Sequence, residues 1–143
     1  MPHLVILYTG QLDHEVDMTA LCRQMAQAML TVKDEVGKQV FPTGGTRVLA
    51  YPAPHYAVAD GGAAGRAAGG TGDYAFVYLN VRMGRGRSPA IQQHAGQTLS
   101  HAAYAFFAPV MAQRHIGITL QIDEGPEVFD AKHSNLHPLF NKA

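Results

Sequence analysis

The run DYAFVYLNVRMGRGRSPA, Asp73–Ala90, contains a strand, a glycine-arginine turn and the start of a helix in unbroken succession. Over Tyr74–Arg82, Val, Phe and Tyr dominate and the aromatic residues alternate, which predicts a strand with its rings along one side. Ser88-Pro89 then supplies an N-cap and a first-turn proline. The helix so begun is expected to run from Pro89 to about Arg114, with Ile91, Ala95, Leu99, Ala102, Phe106 and Val110 as its apolar stripe. Pro109 should kink it or end it early. A further strand is expected at Ile116–Ile122, so this half of the chain reads strand, helix, strand.

The N-terminal half follows the same order. His3–Tyr8 reads as a buried strand, and a helix follows from an Asp17 N-cap to Val36. Its apolar face is Met18, Leu21, Cys22, Met25, Met29, Val32 and Val36. Thr46–Tyr51 is expected as a strand, broken by Pro52 and Pro54 and resumed at Tyr56–Ala59. Each half is thus a candidate right-handed parallel βαβ unit, although no residue-level repeat links the two. Between them lies GGAAGRAAGGTG, Gly61–Gly72. No Gly-Lys-Ser/Thr ending is present and no helix follows directly, so a flexible loop is expected rather than a phosphate cradle.

The bulk properties exclude several function classes. A length of 143 residues predicts one domain, 1–143, and 47% hydrophobic content predicts an ordinary globular core. Eleven basic side chains balance eleven acidic ones, which lacks the charge footprint of a nucleic-acid binder. Cys22 is alone, so no intrachain disulfide can form, as suits a reducing compartment. The first strand has no basic flank of the kind a secretory signal carries. The longest apolar run, Ala102–Ala112, falls short of the ~18 residues that suggest a membrane span. A cytoplasmic protein without membrane or nucleic-acid partners is expected.

Few residues are placed for chemistry. His133 and His137 have the spacing of a helical metal pair, but KHSNLHPLFN lacks helical periodicity and Pro138 adjoins the second histidine, so no metal site is expected. Cys22 lies on the apolar stripe, where a structural thiol is the ordinary role. No Gly-x-Ser-x-Gly is present. Pro2, Arg47 and Arg87 remain.

With their surroundings, these three positions resemble the tautomerase superfamily, and within it the 5-carboxymethyl-2-hydroxymuconate isomerase family of homoprotocatechuate (aromatic compound) degradation. The matching segments are MPHLVILYT at the start, FPTGGTR, YAVADG, DYAFVYLNVRMGRGRS and HSNLHPLF near the end. They occur in the family's order and span almost the whole chain. The resemblance implies an α/β (α+β) fold of two βαβ units, forming a four-stranded sheet with two helices on one face and assembling as a homotrimer. It implies that Pro2, exposed by removal of Met1, is the acid–base catalyst. On the matching motifs, Arg47 and Arg87 would handle a carboxylate substrate, and no cofactor or metal would be needed. The stretches 33–39 and 61–72 look like insertions relative to shorter members. Leu7 and Ala57 stand where polar residues would be expected in the nearest relatives, which leaves the substrate open. Two alternatives share the frame: another tautomerase activity on smaller acids (ketonisation, dehalogenation or decarboxylation), and a non-catalytic ligand-binding trimer.

Overall fold

The computed structural model describes residues 2–140. Four strands, β1 (His3–Thr9), β2 (Arg47–Ala53), β3 (Ala75–Met83) and β4 (Ile116–Glu124), form one sheet in the order β2-β1-β3-β4. β1 runs parallel to β2 and β3 parallel to β4, while β1 and β3 meet antiparallel. Helix α1 (Met18–Thr31) joins β1 to β2 and helix α3 (Pro89–Met111) joins β3 to β4. A short helix, α2 (Ala63–Ala67), lies in the connection between the halves. The fold class and the two βαβ units are as the sequence predicted.

Strand alternation decides which face is buried. Leu4 and Ile6 of β1, and Val77, Leu79 and Val81 of β3, are fully buried beneath the helices. Leu21, Met25 and Met29 of α1 and Ala95, Leu99, Ala103 and Phe107 of α3 close over them. Burying each large side chain contributes roughly 1.5–3 kcal/mol relative to exposure. Among the described residues, no helix covers the opposite sheet face. There Leu7, Leu49, Tyr51 and Phe76 are exposed.

Both expected N-caps are present. Asp17 accepts from the Ala20 amide at 3.0 Å and Ser88 from the Ile91 amide at 3.2 Å. Strand ends shift by one or two residues, and four larger differences have physical causes or consequences. α1 ends at Thr31 rather than Val36 because Asp34 Oδ1 accepts from the amides of Val36 and Lys38, at 3.0 and 2.9 Å. That side-chain turn competes with helical bonding. β2 continues through Pro52, since it is an edge strand and one side of its backbone needs no partner. Tyr56–Ala59 is not a strand. Pro109 is accommodated inside the last turns of α3, which ends at Met111, short of Arg114.

The glycine-rich connection has more shape than a flexible loop implies. Asp60 accepts from the Gly62 and Ala64 amides, each at 2.9 Å, and Tyr74 Oη accepts from the Gly65 amide at 2.8 Å. These bonds start α2 and fold the segment back toward β3.

After β4 the chain crosses one end of the sheet. The Gly125 amide donates to the Met83 carbonyl at 2.8 Å, and a 3-10 turn at His137–Leu139 seats against a similar turn at Thr43–Gly45. Gly44 permits this contact. A Cβ there would lie 2.8 Å from His137 Nδ1 and 3.2 Å from His137 Cα. Gly44→Ala is therefore expected to lift the C-terminal segment and destabilise the fold by about 1–3 kcal/mol. Urea unfolding and limited proteolysis within 125–140 would register both effects; unchanged cleavage would show that the contact does not hold the tail.

Candidate active site

The antiparallel register sets His3 opposite Arg82, and the parallel register sets it opposite Arg47. A basic row, Arg47–His3–Arg82, therefore crosses three strands at the end of the sheet where Pro2 enters β1. Pro2 itself is buried. The same antiparallel pairing brings the start of β1 beside the end of β3, from which the turn carrying Arg87 departs. Pro2 and both predicted arginines thus belong to one end of the molecule.

The two arginines are held differently. Arg47 opens β2, and its Nη1 donates to the Gly45 carbonyl at 3.1 Å. The preceding FPTGGT segment is closed by Thr46 Oγ1 donating to the Pro42 carbonyl at 2.9 Å. Arg87 lies inside the turn, where its Nη1 donates to Gly84 O and its Nη2 to Val40 O, each at 3.2 Å. Its guanidinium stacks 5.4 Å over the ring of fully buried Phe41. Burial pushes the Arg87 pKa down from its ordinary value, but a guanidinium stays charged at any working pH. Arg87 thereby ties the turn after β3 to the strand-entry segment that aims Arg47.

Several members of this site were not singled out from sequence. His3 and Arg82 lie inside the matching segments MPHLVILYT and DYAFVYLNVRMGRGRS, and strand register is what makes them neighbours. Asn80, 4% exposed, receives the Arg82 Nε–H at 2.8 Å and donates to Asp123 Oδ2 at 2.8 Å. Alternation along β3 did place Asn80 and Arg82 on the face of Tyr78, the one signal available beforehand. Asp130, on the crossing tail, is an electrostatic neighbour of His3 and pairs with Lys132. His137 is committed to the Gly44 contact. Among the described residues, no group of three His, Cys, Asp or Glu side chains converges.

Burial lowers the His3 pKa, and the charges of Arg47 and Arg82 lower it further, while Asp130 opposes them. Because the folded state resists protonation that the unfolded chain accepts near pH 6.5, this contribution to stability is complete above that pH. It is lost as pH falls through 6.5. His3→Asn should flatten the decline in urea midpoint between pH 7.5 and pH 5.5; an unaltered slope would remove His3 from the account.

The chain is similar to several known proteins along its whole length. The sequence model of the family described as 5-carboxymethyl-2-hydroxymuconate isomerase matches residues 2–140. An Escherichia coli protein, 5-carboxymethyl-2-hydroxymuconate Delta-isomerase, is 26% identical over 98% of this chain and 99% of its own length. A crystal structure of a 5-carboxymethyl-2-hydroxymuconate delta-isomerase is 66% identical, with a TM-score of 0.97 over 100% of this chain and 95% of the other. A Deinococcus radiodurans R1 isomerase structure is 28% identical, with a TM-score of 0.78 over 99% and 95%. The chain belongs to the 5-carboxymethyl-2-hydroxymuconate isomerase family.

Proposed function

We propose that this protein isomerises 5-carboxymethyl-2-hydroxymuconate or a close analogue by a one-residue proton shuttle at Pro2, within the breakdown of homoprotocatechuate. The observation that carries this reading is the convergence of Pro2, Arg47 and Arg87 at one end of the sheet, in a chain matched by the isomerase family from residue 2 to residue 140.

The chemistry requires one group that accepts a proton and returns it elsewhere. With Met1 removed, Pro2 carries a secondary amine. That amine takes the proton from the 2-hydroxyl of the dienoate. The oxygen's electron pair forms the 2-oxo group, the double bonds shift along the chain, and the prolinium returns a proton to the distant carbon. One proton leaves and one arrives, so no redox partner or cofactor is called for. An ordinary α-amine titrates at ~7.7–8.0, and nearby positive charge together with burial lowers this toward neutrality, where an acid–base group works best.

Arginine suits the other half of the task, because its planar fork binds carboxylates bidentately and its charge opposes the negative charge of the dienolate. Arg47 and Arg87 take these roles in the proposal. Assembly as a homotrimer is part of it. The helix-free face, with Leu7, Leu49, Tyr51 and Phe76 exposed, is a surface that neighbouring copies would cover. Arg47 could then serve a site across a subunit boundary. The lone Cys22 supports a cytoplasmic setting. No helix among the described residues is long and apolar enough to cross a membrane.

Protein shown by intact mass to begin at Pro2 should ketonise the tricarboxylate, followed as loss of the conjugated absorbance. Pro2→Ala is expected to lower kcat/KM by about 10²-fold or more, and Arg47→Gln by about 10- to 100-fold. Correctly processed protein that leaves the substrate untouched would overturn the proposal, as would a Pro2→Ala variant of full activity.

A further inference from the structure

The basic row contains a third arginine that the proton shuttle does not use. Arg82 lies on the helix-free face, opposite His3 and in register with Asp123 of β4. Its side chain is held at one point. Nε–H donates to Asn80 Oδ1 at 2.8 Å, and the Asn80 amide is fixed in turn by donating to Asp123 Oδ2 at 2.8 Å. Asn80 is buried while Arg82 and Asp123 at the two ends of the relay are exposed, so it is the central amide that would be costly to leave unpaired. Asp123 sets which way the Asn80 amide points, and the amide oxygen sets which edge of the guanidinium faces the protein.

Among the described residues, that Nε bond is the hydrogen bond Arg82 makes with the protein. The result is an exposed guanidinium whose orientation is preset, as bidentate capture of a carboxylate requires. Around it, the face changes character along the strands. Leu7, Tyr51 and Phe76 lie toward the far end, while Arg47, His3 and Arg82 occupy the Pro2 end.

We propose that Arg82, positioned by Asn80 and Asp123, grips the carboxymethyl carboxylate of the substrate and so selects tricarboxylates over dicarboxylates. This rests on the proposed isomerase activity. That activity gives Arg47 and Arg87 the carboxylates conjugated with the diene, and Arg82 then faces the remaining one. Arg82 acts on recognition rather than on proton transfer, so its effect should appear in KM far more than in kcat.

The test compares two substrates, 5-carboxymethyl-2-hydroxymuconate and 2-hydroxymuconate, which lacks the carboxymethyl group, on Pro2-initiated protein. Arg82→Gln is expected to raise KM for the tricarboxylate by about 10- to 100-fold and to change KM for the dicarboxylate far less, so that the ratio of the two shifts by about 10-fold or more. Arg82→Lys, which keeps the charge but loses the fork, should recover part of the loss. Asn80→Ala should raise the tricarboxylate KM by a smaller factor, because the arginine remains but is no longer aimed. Equal losses on both substrates, or a loss accompanied by a change of assembly in light scattering, would make Arg82 a structural residue and overturn the inference. Wild-type protein active on both substrates with no response to Arg82→Gln would overturn it while sparing the isomerase proposal. Wild-type protein inactive on both would overturn the two together.

Discussion

The antiparallel pairing of β1 with β3 is the constraint on which the rest of the molecule depends. Each βαβ unit on its own places parallel strands under one helix, with no site between the units. Setting His3 against Arg82 joins the two units into one sheet and brings the first residues of the chain beside the turn that follows β3. The core enforces that register. A slip of one residue would turn Leu4, Ile6, Val77, Leu79 and Val81 out from beneath the helices, exposing side chains now fully buried. Hydrophobic patterning thus fixes, at no separate cost, that Pro2, Arg47 and the turn carrying Arg87 share one end of the sheet.

A second consequence is the division of labour among the basic residues. Arg87 gives one N–H from each Nη to a backbone carbonyl and stacks on Phe41, so it is a rigid part of the scaffold as well as a charge. Arg47 is aimed by the compact turn before β2, which the C-terminal segment braces through Gly44. Arg82 is aimed by a buried amide. Three different supports hold three guanidinium groups at one end of the sheet, with His3 kept toward its neutral form between two of them.

Much of this was legible in the sequence. The alternating strands, the Asp17 and Ser88 caps and the first half of the α3 stripe are local signals, and local chemistry decides them; the second half buries Ala103 and Phe107, one residue on from the expected Ala102 and Phe106, which are partly buried. The end of α1 was misplaced because Val32 and Val36 continue the apolar spacing, while the turn built on Asp34 depends on side-chain geometry. Pro52 read as a strand breaker because edge position is a property of the sheet and not of the residue. The Asp60 and Tyr74 bonds that shape the glycine-rich connection are likewise contacts between separated residues. The basic row is the clearest non-local case. Arg47, His3 and Arg82 are far apart in the chain, and only strand register shows that they are neighbours. Pro2, Arg47 and Arg87 are candidates through the resemblance of their surrounding motifs; Asn80 and Arg82 lie inside one of those motifs without being singled out by it, and Asp123 lies outside them all.

The central claim is that Pro2 is a free secondary amine whose proton affinity is lowered by its setting. Titration of that nitrogen by NMR, in protein labelled with ¹⁵N-proline and shown by mass to lack Met1, addresses it directly. The account predicts a single transition at Pro2 below the ~7.7–8.0 of an ordinary α-amine, moving upward when Arg47 is replaced by Gln. A Pro2 nitrogen that titrates at or above the ordinary value, and does not respond to Arg47→Gln, would contradict it.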